Sequence, residues 1–226
     1  MTRARALVAA ALTALPAPGL AECRLALAIG MDVSSSVDAF EDALQRQGLA
    51  HALLADPVQE AFFDGPPVAL AVFEWSGRYN QRLIVDWTLV DTPDALAAMS
   101  TRIAGSRRGT DDYPTALGHA LAFGAMLLQE APVCWQAKID ISGDGPNNEG
   151  YPAGSAYRAF PFDGVTVNGL AIVAEDGSGT LAHYRTEVIR GPDAFVEVAR
   201  GFEDFQAAME RKLERELAAQ VIGAQE

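Results

Sequence analysis

The chain has 226 residues, half of them hydrophobic, and a formal net charge of −13. Its size and apolar content suit one α/β domain with a sizeable core. The acidic balance argues against nucleic acid or anionic lipid as a partner, since both favour Lys/Arg-rich faces.

The first 21 residues read as a signal peptide. Arg3 and Arg5 precede an apolar run from Leu7 to Leu15, Pro16 and Pro18 break it, and Gly19 and Ala21 are small residues placed for peptidase cleavage. The run is too short to span a bilayer comfortably as a permanent anchor. The expectation is therefore a signal peptide at 1–21 and a single domain at 22–226, periplasmic or secreted, with no stable membrane insertion. Loss of Arg3 and Arg5 takes the net charge from −13 to −15.

Beyond the leader, strand and helix signals alternate, as in a mostly parallel sheet covered on both faces. Arg24 to Met31 reads as a buried strand, followed by a helix from about Ser36 to Ala55 with Val37, Phe40 and Leu44 on one face. After Pro66-Pro67, Val68 to Trp75 is a second buried strand and Gln81 to Val90 a third, hairpin-paired with it. Thr92-Pro93 opens a helix to Ile103. Gly105 to Pro114 is a polar loop, Thr115 to Gln129 a helix and Ala137 to Ser142 a strand. The Gly- and Pro-rich stretch Gly143 to Phe162 reads as a long loop. Val165 to Val173 is a strand, 177–191 is ambiguous, and Ala194 to Val198 is a short edge strand. A final amphipathic helix from Glu203 repeats apolar residues at Phe205, Met209, Leu213 and Leu217.

The chemistry concentrates at Asp32-Val33-Ser34-Ser35-Ser36, a D-x-S-x-S motif directly after the first strand. Strand ends of this kind are where open α/β sheets place their sites. One carboxylate and two hydroxyls are hard ligands, suited to Mg²⁺, Mn²⁺ or Ca²⁺ rather than zinc or copper. Taken alone, the motif serves equally as a helix N-cap made by Ser34 or Ser36. His51, His119 and His183 are scattered without zinc spacing. No P-loop, nucleophile elbow or dinucleotide fingerprint occurs. Glu74, inside an apolar strand, is either a buried hydrogen-bonded carboxylate or a rim residue.

With the helix Thr115-Ala-Leu-Gly118-His-Ala120-Leu121 and the turn Ser142-Gly143-Asp144-Gly145, the chain resembles the von Willebrand factor A-type family. The strings EWSG (Glu74 to Gly77), SGDGPNN (Ser142 to Asn148) and NGLAI (Asn168 to Ile172) make it similar to exported proteobacterial proteins of that fold. The resemblance covers nearly the whole mature chain and implies a three-layer, Rossmann-like α/β fold. Its central sheet is mostly parallel, with helices on both faces and one antiparallel edge strand.

It also implies a metal-ion-dependent adhesion site. Asp32, Ser34, Ser36, Thr115 and Asp144 would hold Mg²⁺ (or Mn²⁺ or Ca²⁺), leaving a coordination position for a carboxylate on a partner protein. Thr110 competes with Thr115 as the Thr ligand. Thr110, Asp111, Asp112 and Asn147 fall in loops expected at the rim. The chain departs from the family pattern at Leu117, which replaces a second Thr, and at Ser142-Gly143 before Asp144. The expectation is a non-enzymatic binding domain, with no catalytic constellation in the sequence. A metal-assisted hydrolase and a structural domain without an ion are the alternatives. Cys23 lies nine residues before Asp32 and Cys134 ten before Asp144. If the resemblance makes their strands parallel neighbours, a Cys23–Cys134 disulfide follows, as suits an oxidising compartment.

Overall fold

The computed structural model describes residues 23–174 and 179–218; the expected signal peptide at 1–21 lies outside the described residues. Six strands are present: β1 (Cys23–Asp32), β2 (Val68–Ser76), β3 (Asn80–Val90), β4 (Cys134–Gly143), β5 (Val165–Val173) and β6 (Val196–Arg200). They form one sheet in the order β3-β2-β1-β4-β5-β6. Only the β2–β3 pairing is antiparallel, which makes β3 the antiparallel edge.

Helices α1 (Ala39–Leu53), α2 (Asp56–Phe63), α3 (Pro93–Ala104) and α7 (Phe205–Ala218) contribute to one core cluster. Helices α4 (Leu117–Leu128), α5 (Ala153–Ala159) and α6 (Thr180–His183) border the other, together with a π-helical turn at Tyr184–Val188. Sheet between two helical layers is the three-layer α/β arrangement expected from the sequence.

The alternation in β1 explains both the packing and the aim of the site. Leu25, Leu27, Ile29 and Met31 enter the α1/α7 core, while Ala26 and Ala28 enter the α4 core. Successive strand residues face opposite ways, so Asp32 follows Ala26, Ala28 and Gly30 toward the α4 side. The small residues let the α4 layer come close. A Cβ on Gly30 would stand 2.6 Å from Phe73 and 2.8 Å from Ile141.

β1 sits between β2 and β4, with Gly30 level with Ile141 and Cys23 level with Cys134. The chain leaves β1 toward the α1 face and β4 toward the α5 face. At a topological switch point of this kind, open α/β sheets place a crevice outside the carboxyl ends of the strands. At the opposite end, Cys23 and Cys134 form a disulfide with a Cα–Cα distance of 4.5 Å.

Several elements depart from the sequence expectation. The first helix begins at Ala39 because Asp38 caps it, accepting from Phe40 N and Glu41 N while Glu41 reaches back to Asp38 N. A separate α2 follows, because Pro57 fits the first turn of a new helix. The expected loop Gly143 to Phe162 contains α5. In the described part of 177–191 the chain forms α6 and the π turn. β6 and α7 begin two residues later than expected.

Candidate functional site

The β1–α1 loop presents Asp32 and Ser34 fully buried and Ser36 exposed, so the crevice runs from core to solvent within five residues. Because Asp38 caps α1, neither Ser34 nor Ser36 is consumed as an N-cap. Ser34 N donates to Asp32 Oδ1 at 2.8 Å, and the Ser34 and Ser36 hydroxyls lie 3.2 Å apart. Ser36 Oγ donates to Asp144 Oδ1 at 2.9 Å, and Thr115 Oγ1 donates to Ser34 Oγ at 3.3 Å. Asp32, Ser34, Ser36, Thr115 and Asp144 thus form one connected cluster drawn from three separate segments. Thr110 makes no side-chain hydrogen bond to this cluster among the described residues; its backbone carbonyl accepts from Arg108 Nε, and Asp111 and Asp112 are exposed in the same loop.

Backbone contacts fix the three segments to one another. Ser35 N donates to Tyr113 O at 2.8 Å, and Gly77 N to Pro114 O at 2.7 Å. Gln45 Nε2 holds Asp32 O at 2.9 Å. Thr115 precedes α4 and is not its cap; its own N–H is taken by Asn148 Oδ1 at 2.9 Å. Asn147 Oδ1 accepts from Gly118 N at 3.3 Å, and Asn147 N donates to His183 Nε2 at 3.3 Å. The Asn147-Asn148 pair therefore anchors the post-β4 loop to the start of α4. Thr180 Oγ1 donates to Asp144 O at 2.8 Å. Gly118 is required by space, since a Cβ there would stand 2.0 Å from Tyr151 O.

Two buried ion networks support the cluster. Glu74 is buried and accepts from Arg46 Nη2 at 2.7 Å, Arg82 Nε at 2.8 Å and Gly109 N at 2.8 Å, with Asp42 also on Arg46. It is thus the buried, hydrogen-bonded carboxylate of the two readings open in the sequence, and it anchors the 107–110 loop. Arg108 then donates to Val33 O at 2.9 Å and Val37 O at 2.7 Å, bracketing the D-x-S-x-S loop.

The second network was not anticipated. Lys212 on α7 lies 3.0 Å from Asp140 and 2.9 Å from Glu216, with Lys138 3.3 Å from Glu216 and Asn168 donating to it at 2.6 Å. Lys138 and Asp140 inside an apolar strand were the visible signal. Their partners lie about seventy residues further along the chain.

The electrostatics of the site are set by two neighbouring carboxylates, Asp32 and Asp144. Asp32 is pushed up to about 7, chiefly by burial and next by the Asp144 charge, against the lowering effect of Ser34 and Arg108. Burial also raises Asp144, partly offset by the Ser36 hydrogen bond. No ion pair reaches either carboxylate among the described residues, and Asp32 Oδ2 is buried without a partner. An unpaired buried carboxylate beside a second one is costly unless positive charge neutralises both. Two carboxylates and three hydroxyls make a hard oxygen set that fits a divalent ion of the Mg²⁺ type. Among the described residues no three His, Cys, Asp or Glu side chains cluster. Any metal here must therefore rely on hydroxyl ligands.

Residues 22–221 match a family described as "Protein of unknown function (DUF1194)". No curated protein matches the chain. Among solved structures, it is similar to a von Willebrand factor type A protein from Catenulispora acidiphila, with 15% identity and a TM-score of 0.60 over 87% of this chain and 42% of that one. It is also similar to proximal thread matrix protein 1 from the mussel byssus, solved with a zinc-occupied MIDAS motif (15% identity, TM-score 0.62, covering 88% of this chain and 48% of that one). A third is the PilB minor pilin from Streptococcus sanguinis, at 14% identity and TM-score 0.60, over 88% of this chain and 63% of that one. This chain spans less than two thirds of each of these proteins. At such identities the likeness establishes the fold.

Proposed function

The chain belongs to the DUF1194 family and has a von Willebrand factor A-type fold, and from that premise we propose that it is an exported, metal-ion-dependent binding domain. Asp32, Ser34, Ser36, Thr115 and Asp144 would hold a Mg²⁺-type ion (Mg²⁺, Mn²⁺ or Ca²⁺) directly or through water. The observation that carries the reading is the convergence of these five oxygen-bearing side chains, with two carboxylates that no cation among the described residues pairs.

When bound, the ion supplies an electrophilic centre able to accept a carboxylate from a partner protein. The chain's own residues do the rest. Asp32 and Asp144 balance charge, and the neutral hydroxyls leave the ion short of full neutralisation. Ser36 and Asp144 lie at the open end, where a partner arrives. The Tyr113 to Thr115 backbone and the Asn147-Asn148 loop hold the opening in shape, and the 107–112 loop borders it. One similar structure holds zinc in a MIDAS motif and another is a minor pilin, which suits attachment of one protein to another.

Export is supported by the leader-like residues 1–21 and by the disulfide, which persists in oxidising compartments. Among the described residues no helix is long and apolar enough to cross a membrane. The test is affinity capture from a periplasmic extract with immobilised mature protein. The reading predicts a protein retained in Mg²⁺, released by chelator and not retained by Asp32→Ala; retention indifferent to both contradicts it.

A further inference from the structure

Tyr184 is fully buried, and its hydroxyl has no hydrogen-bond partner among the described residues. It opens the π-helical turn, closed by Ile189 N donating to Tyr184 O at 3.1 Å. Such turns re-aim side chains and recur at functional sites. Two glycines clear its path. A Cβ on Gly169 would stand 2.5 Å from Tyr184 Cδ1, and one on Gly143 would stand 2.6 Å from Tyr184 Oη and 2.8 Å from Asp32 Oδ2.

The phenol therefore flanks the same glycine as the one oxygen of Asp32 that lacks a partner. One group is a donor and the other an acceptor, and both are buried. A packing role alone needs no hydroxyl. Phenylalanine would fill the space without burying an unsatisfied group, which is costly.

We propose that Tyr184 is a positioning residue for the metal site, its hydroxyl donating to Asp32 Oδ2 when the cation binds. Asp32 Oδ1 is already held by Ser34 N. A second donor on Oδ2 fixes the plane of the carboxylate, the arrangement by which groups behind a metal ligand orient it. The inference rests on the metal-site reading above and adds the residue behind it.

The experiment is calorimetric titration of the mature protein with Mn²⁺, for wild type, Tyr184→Phe and Gly169→Ala, alongside thermal melts in chelator. Tyr184→Phe should melt in chelator at or near the wild-type temperature, yet bind Mn²⁺ about 10- to 100-fold more weakly. Gly169→Ala, which displaces the ring without touching Asp32, should weaken binding likewise and serves if the first variant does not fold. Wild-type Mn²⁺ affinity in either folded variant overturns the role of Tyr184 and leaves the metal site standing. Absence of Mn²⁺ binding by wild type overturns the site and this inference together.

Discussion

Asp144→Asn should make the metal-free protein more stable while abolishing its response to metal. The change keeps an oxygen to accept from Ser36 and removes one of two facing carboxylates. Asp32 is held at about 7 against an ordinary 3.8, so its folded-state value lies above its unfolded one. Between those values the folded state binds the extra proton. Metal-free stability therefore falls as pH rises through the window from about 4 to about 7, and the full penalty is present above it. A gap of about 3 units at about 1.4 kcal/mol each gives a penalty of about 4 kcal/mol.

Burial is the larger cause and Asp144 the second, so Asp144 accounts for less than half, about 1–2 kcal/mol. At about 2–4 °C per kcal/mol for a domain of this size, the variant should melt about 2–8 °C higher in chelator at pH 8. The gain should vanish near pH 4, where Asp32 carries its proton in both proteins. Added Mg²⁺ should raise the melting temperature of wild type only. Thermal melts at both pH values, with chelator and with Mg²⁺, read all three effects. A variant no more stable than wild type in chelator at pH 8 would refute the electrostatic account of the crevice.

Other perturbations test the scaffold. Replacing Cys23 and Cys134 by Ala releases a link across 111 residues and should cost about 2–5 kcal/mol; equal denaturation midpoints with and without the bridge would contradict this. Glu74→Ala leaves buried Arg46 with Asp42 as its remaining carboxylate among the described residues and frees Gly109 N. It should cost about 3–5 kcal/mol and speed proteolysis in the 107–110 loop, where an unchanged cleavage rate would argue against the anchoring role. Lys212→Met leaves buried Asp140 without its ion-pair partner, while Glu216 keeps Lys138 and Asn168, and should cost a similar amount at pH 7. Asp140 is already pushed up to about 6, by burial first, against the pull of Lys212. It should take a proton more readily in the variant, so acidification toward pH 5 should narrow the difference between the two denaturation curves.

What the sequence revealed depended on how local the signal was. The Leu-Ala-Leu-Ala-Ile-Gly alternation of β1 states which face is wide and which is narrow, and so foretells the aim of Asp32. D-x-S-x-S lies within five residues, and Asp38-x-x-Glu41, the true cap of α1, was equally readable as a capping box. Thr115 and Asp144 could be linked to Asp32 only through the family resemblance, since their contact is made across strands. The expected first helix stops at Ala55 with nothing after it before Pro66, whereas Pro57 is at home in a helix's first turn and opens α2. The seven-residue α5, between Pro152 and Phe160, is too short for a clear period. Tyr184 and the Lys212 network were hidden because their partners come from β4, β5 and α7, joined only by folding.

The central claim is that the crevice at the ends of β1 and β4 binds a divalent cation through Asp32, Ser34, Ser36, Thr115 and Asp144. Calorimetric titration of the mature protein with Mg²⁺ and Mn²⁺ tests it most directly. The account predicts one site per chain in wild type, and loss of measurable binding in both Asp32→Ala and Asp144→Ala. No binding by folded wild type, or unchanged affinity in the two variants, would contradict it.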